Sequence, residues 1–154
     1  MRLELDAAIA PGTGLLLDTT ALIAYLEGGQ SVSAVTVHIM DVYVKSGRNR
    51  GLVPTMAAME LLVKPVLHGA DANVLAFLTS TLNVEVVDID LSIAHEAAKL
   101  RAHRGFRPPD ALIVATGIVA RVDYLVTNDA AWKKKLIDKA SPSVVLLADF
   151  ASHP

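Results

Sequence analysis

Apolar residues follow two rhythms along this chain. Short runs rich in Leu, Val and Ile alternate with longer stretches in which apolar residues return every three or four positions, the spacing of one face of a helix. Residues 15–17 form an apolar run that ends in Asp18; Ala21, Leu22, Tyr25 and Leu26 then recur at helical spacing until Gly28 and Gly29. Residues 31–46 read as helical, 51–54 as a brief strand, and Thr55 is placed to cap a helix through Glu60 towards Gly69, with Pro65 inside as a kink. Asp71 starts another helix, 84–89 carry the β-branched residues of a buried strand, and 91–104 return to helix. Pro109 suits the first turn of a helix through Arg121; 124–127 read as strand, 129–137 as helix and 144–147 as a last strand. Strands alternating with helices predict a three-layer α/β/α domain with a central, mainly parallel sheet of about five strands. Residues 1–13 lack either rhythm and lead into Pro11, Gly12 and Gly14, so they are expected to be an irregular extension before a domain over 14–150.

Length and composition narrow the reading. A chain of 154 residues fits one domain with one sizeable core. It is 53% hydrophobic and 19% charged, which argues against disorder and leaves apolar surface for an interface, making a homodimer the expected assembly. No uncharged run approaches the roughly 20 apolar residues of a membrane span. The amino terminus lacks the basic start and unbroken apolar run of a secretory signal, and a cytoplasmic location is the default expectation. The absence of cysteine excludes disulfides, zinc–thiolate sites and cysteine nucleophiles.

Four acids stand out by isolation. Asp18 is the only charged residue between Asp6 and Glu27, and Glu60 is the only acid between Asp41 and Asp71. Asp110 is the only charge between Arg107 and Arg121, and Asp129 follows the strand at 124–127 within Thr-Asn-Asp. An ionised carboxylate is costly to remove from water unless it is paired or binds a metal. Asp18, Asp110 and Asp129 also lie at predicted helix starts, where an Asp commonly caps free amides. Glu60, several residues into its helix, does not fit that account. In an open parallel sheet, strand ends and the helix starts that follow them meet at one edge, where ligands bind. Carboxylates gathered there would repel one another unless a cation lay between them. An all-oxygen set suits a hard ion, Mg²⁺ with Mn²⁺ as a substitute, and the chemistry suggested is attack on a phosphodiester by metal-activated water.

The net charge of -2 is unusual for a nucleic-acid binder, but its distribution is uneven. Lys99, Arg101, Arg104 and Arg107 fall in nine residues without an acid, and Lys133, Lys134, Lys135 and Lys139 cluster around Asp138. Either group reads as a phosphate-facing patch or as a solvated helix face; Arg104 and Arg107 are the candidates for supporting substrate. An aspartyl phosphotransferase would want a second Asp where Thr20 stands, and a phospho-receiver would need a Lys after the last strand, where Ala148, Asp149 and Phe150 follow. No phosphate-binding Gly-Lys-Ser/Thr loop is present, and the five histidines show no metal-ligand spacing. Trp132 reads as packing, since 5% aromatics offer no series of stacking platforms.

The same residues carry a family resemblance from about Leu15 to Leu147. Asp18-Thr19-Thr20-Ala21-Leu22-Ile23, Glu60-Leu61-Leu62, Pro109-Asp110-Ala111-Leu112-Ile113 and Thr127-Asn128-Asp129 resemble, in order, the four motifs of PIN-domain ribonucleases of the VapC toxin type. The resemblance implies a Mg²⁺-dependent endoribonuclease acting on RNA, dimeric and held inactive by a cognate antitoxin. Asp18, Glu60, Asp110 and Asp129 would be its metal ligands and catalytic acids, and Thr20 and Thr127 polar supports. Two departures stand against the pattern: Ala130 and Ala131 occupy positions where many relatives carry a further acid, and a segment precedes Leu15. The alternatives are a non-catalytic protein-interaction or RNA-binding module on the same fold, and a non-toxic nuclease of RNA maturation.

Overall fold

The computed structural model describes residues 1–137 and 142–151. Its centre is a five-stranded sheet of β1 (Gly14–Leu17), β2 (Arg50–Pro54), β3 (Val84–Val87), β4 (Tyr124–Thr127) and β5 (Ser143–Leu146), in the order β3-β2-β1-β4-β5 with every pairing parallel. Eight α-helices are described: α1 (Arg2–Ala8), α2 (Thr19–Glu27), α3 (Ser33–Val37), α4 (Thr55–Leu67), α5 (Asp71–Ser80), α6 (Leu91–Arg104), α7 (Pro108–Val119) and α8 (Ala131–Lys135). A π-helical stretch, His38–Val44, continues α3. The sheet and its alternation with helices follow the sequence pattern. The helix expected from Thr55 runs on through Pro65 to Leu67, although Pro54 rather than Thr55 stands at its cap position.

Central strands are buried on both faces, as a helix-covered parallel sheet requires. All of β1 is buried, and only Arg50 of β2 is exposed, while the edge strand β3 is partly open. Two glycines set how closely the layers approach. A Cβ on Gly117 of α7 would lie 2.8 Å from Leu125 Cδ2 and 3.2 Å from Leu16 Cδ1, and one on Gly51 would meet Val44 Cγ1 at 3.1 Å. Both helix and strand therefore pack backbone against side chain at these points.

Residues 1–13 correct the expectation of an irregular extension. Arg2–Ala8 is helical, and Leu5 and Ile9 are 0% exposed within the main core. Polar contacts seal the same region: Tyr43 Oη donates to Asp6 at 2.7 Å, Arg48 donates to the Ile9 carbonyl at 2.7 Å, and Asn49 Nδ2 donates to the Ala10 carbonyl at 2.9 Å. With Gly12 N bonded to Arg48 O and Ala10 N to Tyr124 Oη, this segment closes the side of the sheet where the strands begin. Spacing alone concealed it because about two turns of helix and its C-cap offer only two inward apolar positions, Leu5 and Ile9. Among the described residues no helix is long and apolar enough to cross a membrane.

Burial at Leu5 and packing at Gly117 yield two expected outcomes. Leu5→Ala should lower unfolding free energy by about 2–5 kcal/mol, the usual cost of emptying a core leucine site. Gly117→Val should cost about 1–3 kcal/mol through overpacking against Leu125 and Leu16. Urea denaturation followed by circular dichroism checks both, and a wild-type midpoint for Leu5→Ala would show that α1 adds nothing to the core.

Candidate functional site

Strand order creates the site. From β1 the chain proceeds outward through β2 to β3, then crosses back to lay β4 on the other flank of β1 and β5 beyond it. Connections after β1 and β4 therefore leave in opposite directions, and a crevice opens between the carboxyl ends of these two strands. Their register pairs Leu17 with Val126, and Asp18 N extends the ladder to Val126 O at 3.0 Å. The next residues across the gap are Asp18 and Thr127.

Asp18 is only 3% exposed, and Thr127 beside it is fully buried. Thr127 Oγ1 donates to Asp18 Oδ2 at 2.7 Å, and Thr20 Oγ1 donates to the same oxygen at 2.8 Å. Each hydroxyl has one proton and spends it on Asp18, so each must serve its other neighbour as an acceptor. Thr20 Oγ1 accepts from Asn128 N at 2.9 Å, and Thr127 Oγ1 accepts from Asp129 N at 3.0 Å. The two threonines thus fasten the loop after β4 to the end of β1. Burial raises the Asp18 pKa from the ordinary carboxylate value, and Glu60 adds to the rise; bonds from Thr127, Thr20 and the Thr19 backbone oppose it.

Glu60, on α4 two turns beyond β2, is brought to the same end of the molecule by Thr19, whose Oγ1 donates to Glu60 Oε1 at 2.9 Å. Asp110 lies in the first turn of α7 behind Pro108 and Pro109, half-buried. Its pKa is raised first by burial and then by the negative charges of Asp18, Asp129 and Glu60, with Lys135 pulling the other way. Asp18, Asp129 and Glu60 thus all act on Asp110 through space, and Glu60 acts on Asp18 as well. The capping alternative holds only in part. Asp18 makes no side-chain cap and Arg107 rather than Asp110 holds the cap position of α7, whereas Asp129 Oδ1 accepts from Ala131 N at 2.9 Å.

Among the described residues, no three acids or histidines converge into a ready-made coordination cage. The acids instead form an acidic basin in the electrostatic sense, Asp18, Asp129 and Glu60 all repelling the charge of Asp110. That arrangement, with oxygen donors only and mutual repulsion at Asp110, fits a small hard cation that keeps several waters and takes one or two carboxylates directly.

The basic candidates separate. Arg104 Nη1 donates to the Lys135 carbonyl at 3.1 Å, and Arg107 is exposed at the cap position of α7. Lys133 is ion-paired with Asp149, Lys99 pairs with Glu96, and Lys139 and Asp138 lie outside the described residues, as does His153. Thr19 was not singled out by sequence reasoning. The signal was its place directly after Asp18, but its reach to a residue 41 positions away belongs to tertiary structure.

Comparison with known proteins gives a consistent result. Residues 15–136 match the profile of the PIN domain, while no curated protein sequence matches. The fold is similar to one in a toxin-antitoxin complex from Klebsiella pneumoniae, at 21% identity and a TM-score of 0.65, covering 86% of this chain and 97% of that one. It is also similar to a chain of VapBC2 from Rickettsia felis bound to a promoter DNA fragment, at 16% identity and 0.65, covering 86% and 98%. FitAcB from Neisseria gonorrhoeae is a third, at 15% identity and 0.65, covering 87% and 98%. At these identities the likeness is one of fold, and it is the profile match over most of the chain that establishes kinship: this protein belongs to the PIN domain family.

Proposed function

We propose that this PIN domain is a Mg²⁺-dependent endoribonuclease and the toxin of a toxin–antitoxin pair. The observation that carries the reading is the coupling of four carboxylates at the switch point of the sheet, felt at Asp110 as repulsion from Asp18, Asp129 and Glu60. Asp18, Glu60, Asp110 and Asp129 would hold the cation, Mg²⁺ or Mn²⁺. When bound, such an ion supplies an activated water at neutral pH and stabilises charge developing on the phosphate.

The chain's own residues do the positioning. Thr20 and Thr127 both bind Asp18 Oδ2, which orients the carboxylate while neither hydroxyl occupies Oδ1. Thr19 fixes Glu60 in the same manner. Asn128 and Asp129 are held by their backbone amides, so the loop after β4 presents Asp129 at a set depth. Arg107 would add a positive charge next to Asp110 for the RNA backbone, with Arg104 supporting the turn behind it.

The partner reading rests on the similar structures, among them a toxin–antitoxin complex and VapBC2 bound to promoter DNA, and on an apolar trough along the outer face of α4. Met59, Val63, Val66 and Leu67 stand exposed there, more apolar surface than one helix needs to leave in water. That surface suits a second copy or an antitoxin segment, in a cytoplasmic complex.

Purified protein should cleave single-stranded RNA with Mg²⁺ or Mn²⁺ and not with EDTA; absence of cleavage under both conditions would favour a non-catalytic interaction module. Asp18→Asn should abolish cleavage in a protein that remains folded. Thr127→Val should reduce it about 10–100-fold, the range for residues that orient metal-binding groups. Asp110→Asn is expected to raise the metal-free melting temperature, since the ionised carboxyl is disfavoured in the folded protein at neutral pH, and to diminish the stabilisation that Mg²⁺ confers on wild type. Calorimetric scans with and without Mg²⁺ read both effects; equal Mg²⁺ responses in the two proteins would remove Asp110 from the metal site.

A further inference from the structure

Of the eight Lys and Arg residues from Lys99 to Lys135, Lys135 is the one whose ammonium is tethered to the turn that leads into Asp110. Gly105 adopts a left-handed conformation, φ 67°, that ends α6 and turns the chain towards Asp110 five residues on. Lys135, the last residue of α8, reaches over this turn: its Nζ donates to Gly105 O at 3.1 Å and stands 4.9 Å from the centre of the Phe106 ring. Arg104 Nη1 returns the link by donating to Lys135 O at 3.1 Å. Beneath, Phe106 and Trp132, both buried, meet edge to face with centroids 6.3 Å apart, so the turn and α8 form one packed unit. Long lysine side chains ordinarily lose much conformational freedom when they bind a ligand. Here the stem is already placed, the side chain is only partly exposed, and an ammonium has three donors, of which one is used among the described residues.

We infer that Lys135 is a substrate-binding residue of this site, its tethered ammonium receiving a backbone phosphate of single-stranded RNA beside Asp110. The inference rests on the nuclease reading and assigns the contact to one residue within the lysine cluster. Lys133, two positions earlier, is the natural comparison, because it carries the same charge but is committed to Asp149 on the exposed side of α8. The positive charge of Lys135 is also the one that opposes the carboxylates at Asp110.

The test is equilibrium binding of a fluorescein-labelled single-stranded RNA with a phosphorothioate backbone, in Mg²⁺, by anisotropy over about 50–200 mM salt. Lys135→Met should weaken binding about five- to tenfold and lower the slope of log affinity against log salt by about 0.7, the loss of one phosphate contact on a single strand. Lys133→Met should change the slope by less than half as much, and Lys135→Arg should retain the wild-type slope. Wild-type affinity and slope in Lys135→Met, or equal losses in the two Met variants, would overturn the assignment and leave the nuclease reading intact. A lower melting temperature in Lys135→Met with an unchanged slope would reduce the residue to a staple between α6 and α8, also overturning it. Wild-type protein that binds no RNA would overturn the nuclease reading itself and the phosphate contact with it.

Discussion

Everything at the carboxyl edge of this sheet depends on keeping the charge of Asp18 in a place that water barely reaches. Burial disfavours that charge, and the protein answers with two hydroxyls aimed at a single oxygen and a backbone amide from Thr19. Those hydroxyls are themselves tied to the loop after β4, so the electrostatic compensation of Asp18 and the conformation of the Asp129 loop are one structural feature. A loop that moved away would take from both threonine hydroxyls the amides that hold them in place. The geometry of the basin is thus stabilised by the same interactions that keep it negative.

The two ends of the sheet are built on opposite principles. Where the strands begin, α1 inserts Leu5 and Ile9 into the core, and a mesh of neutral and ionic contacts from Tyr43, Arg48 and Asn49 seals the surface. Where they end, Asp18, Asp129 and Glu60 repel the charge of Asp110, opposed there by Lys135. A rigid, well-satisfied end allows the other to carry uncompensated charge, since the stability that repulsion removes is supplied by a core into which Gly51 and Gly117 let the layers pack closely. This division is what a metal-dependent site in such a fold needs: preorganised oxygen donors whose repulsion a cation relieves.

How far the sequence could be read depended on the range of the interactions involved. Alternation of strand and helix was legible because hydrophobic periodicity is local, whereas the strand order β3-β2-β1-β4-β5 is a property of the folded chain. Asp18, Glu60, Asp110 and Asp129 were legible because an acid in an apolar run needs an explanation wherever it lies. The helix of residues 1–13 was missed: it is short and only half apolar, and its partners, Tyr43, Arg48 and Asn49, lie more than thirty positions away. The basic clusters looked equivalent in one dimension, yet three dimensions assign Arg104 to the Lys135 carbonyl, Lys133 to Asp149 and Lys135 to the Gly105 carbonyl.

By itself, then, the sequence determined the α/β class, the positions of the strands and the identity of the isolated acids, all of which are properties of neighbouring residues or of composition. Tertiary structure alone decided which hydroxyls serve which carboxylates, that Thr19 holds Glu60, that α1 belongs to the core, and which lysine stands beside Asp110. The physical reason is that hydrogen bonds and charge pairs act over a few ångströms whatever the separation along the chain, and only the folded backbone sets which residues come within that distance.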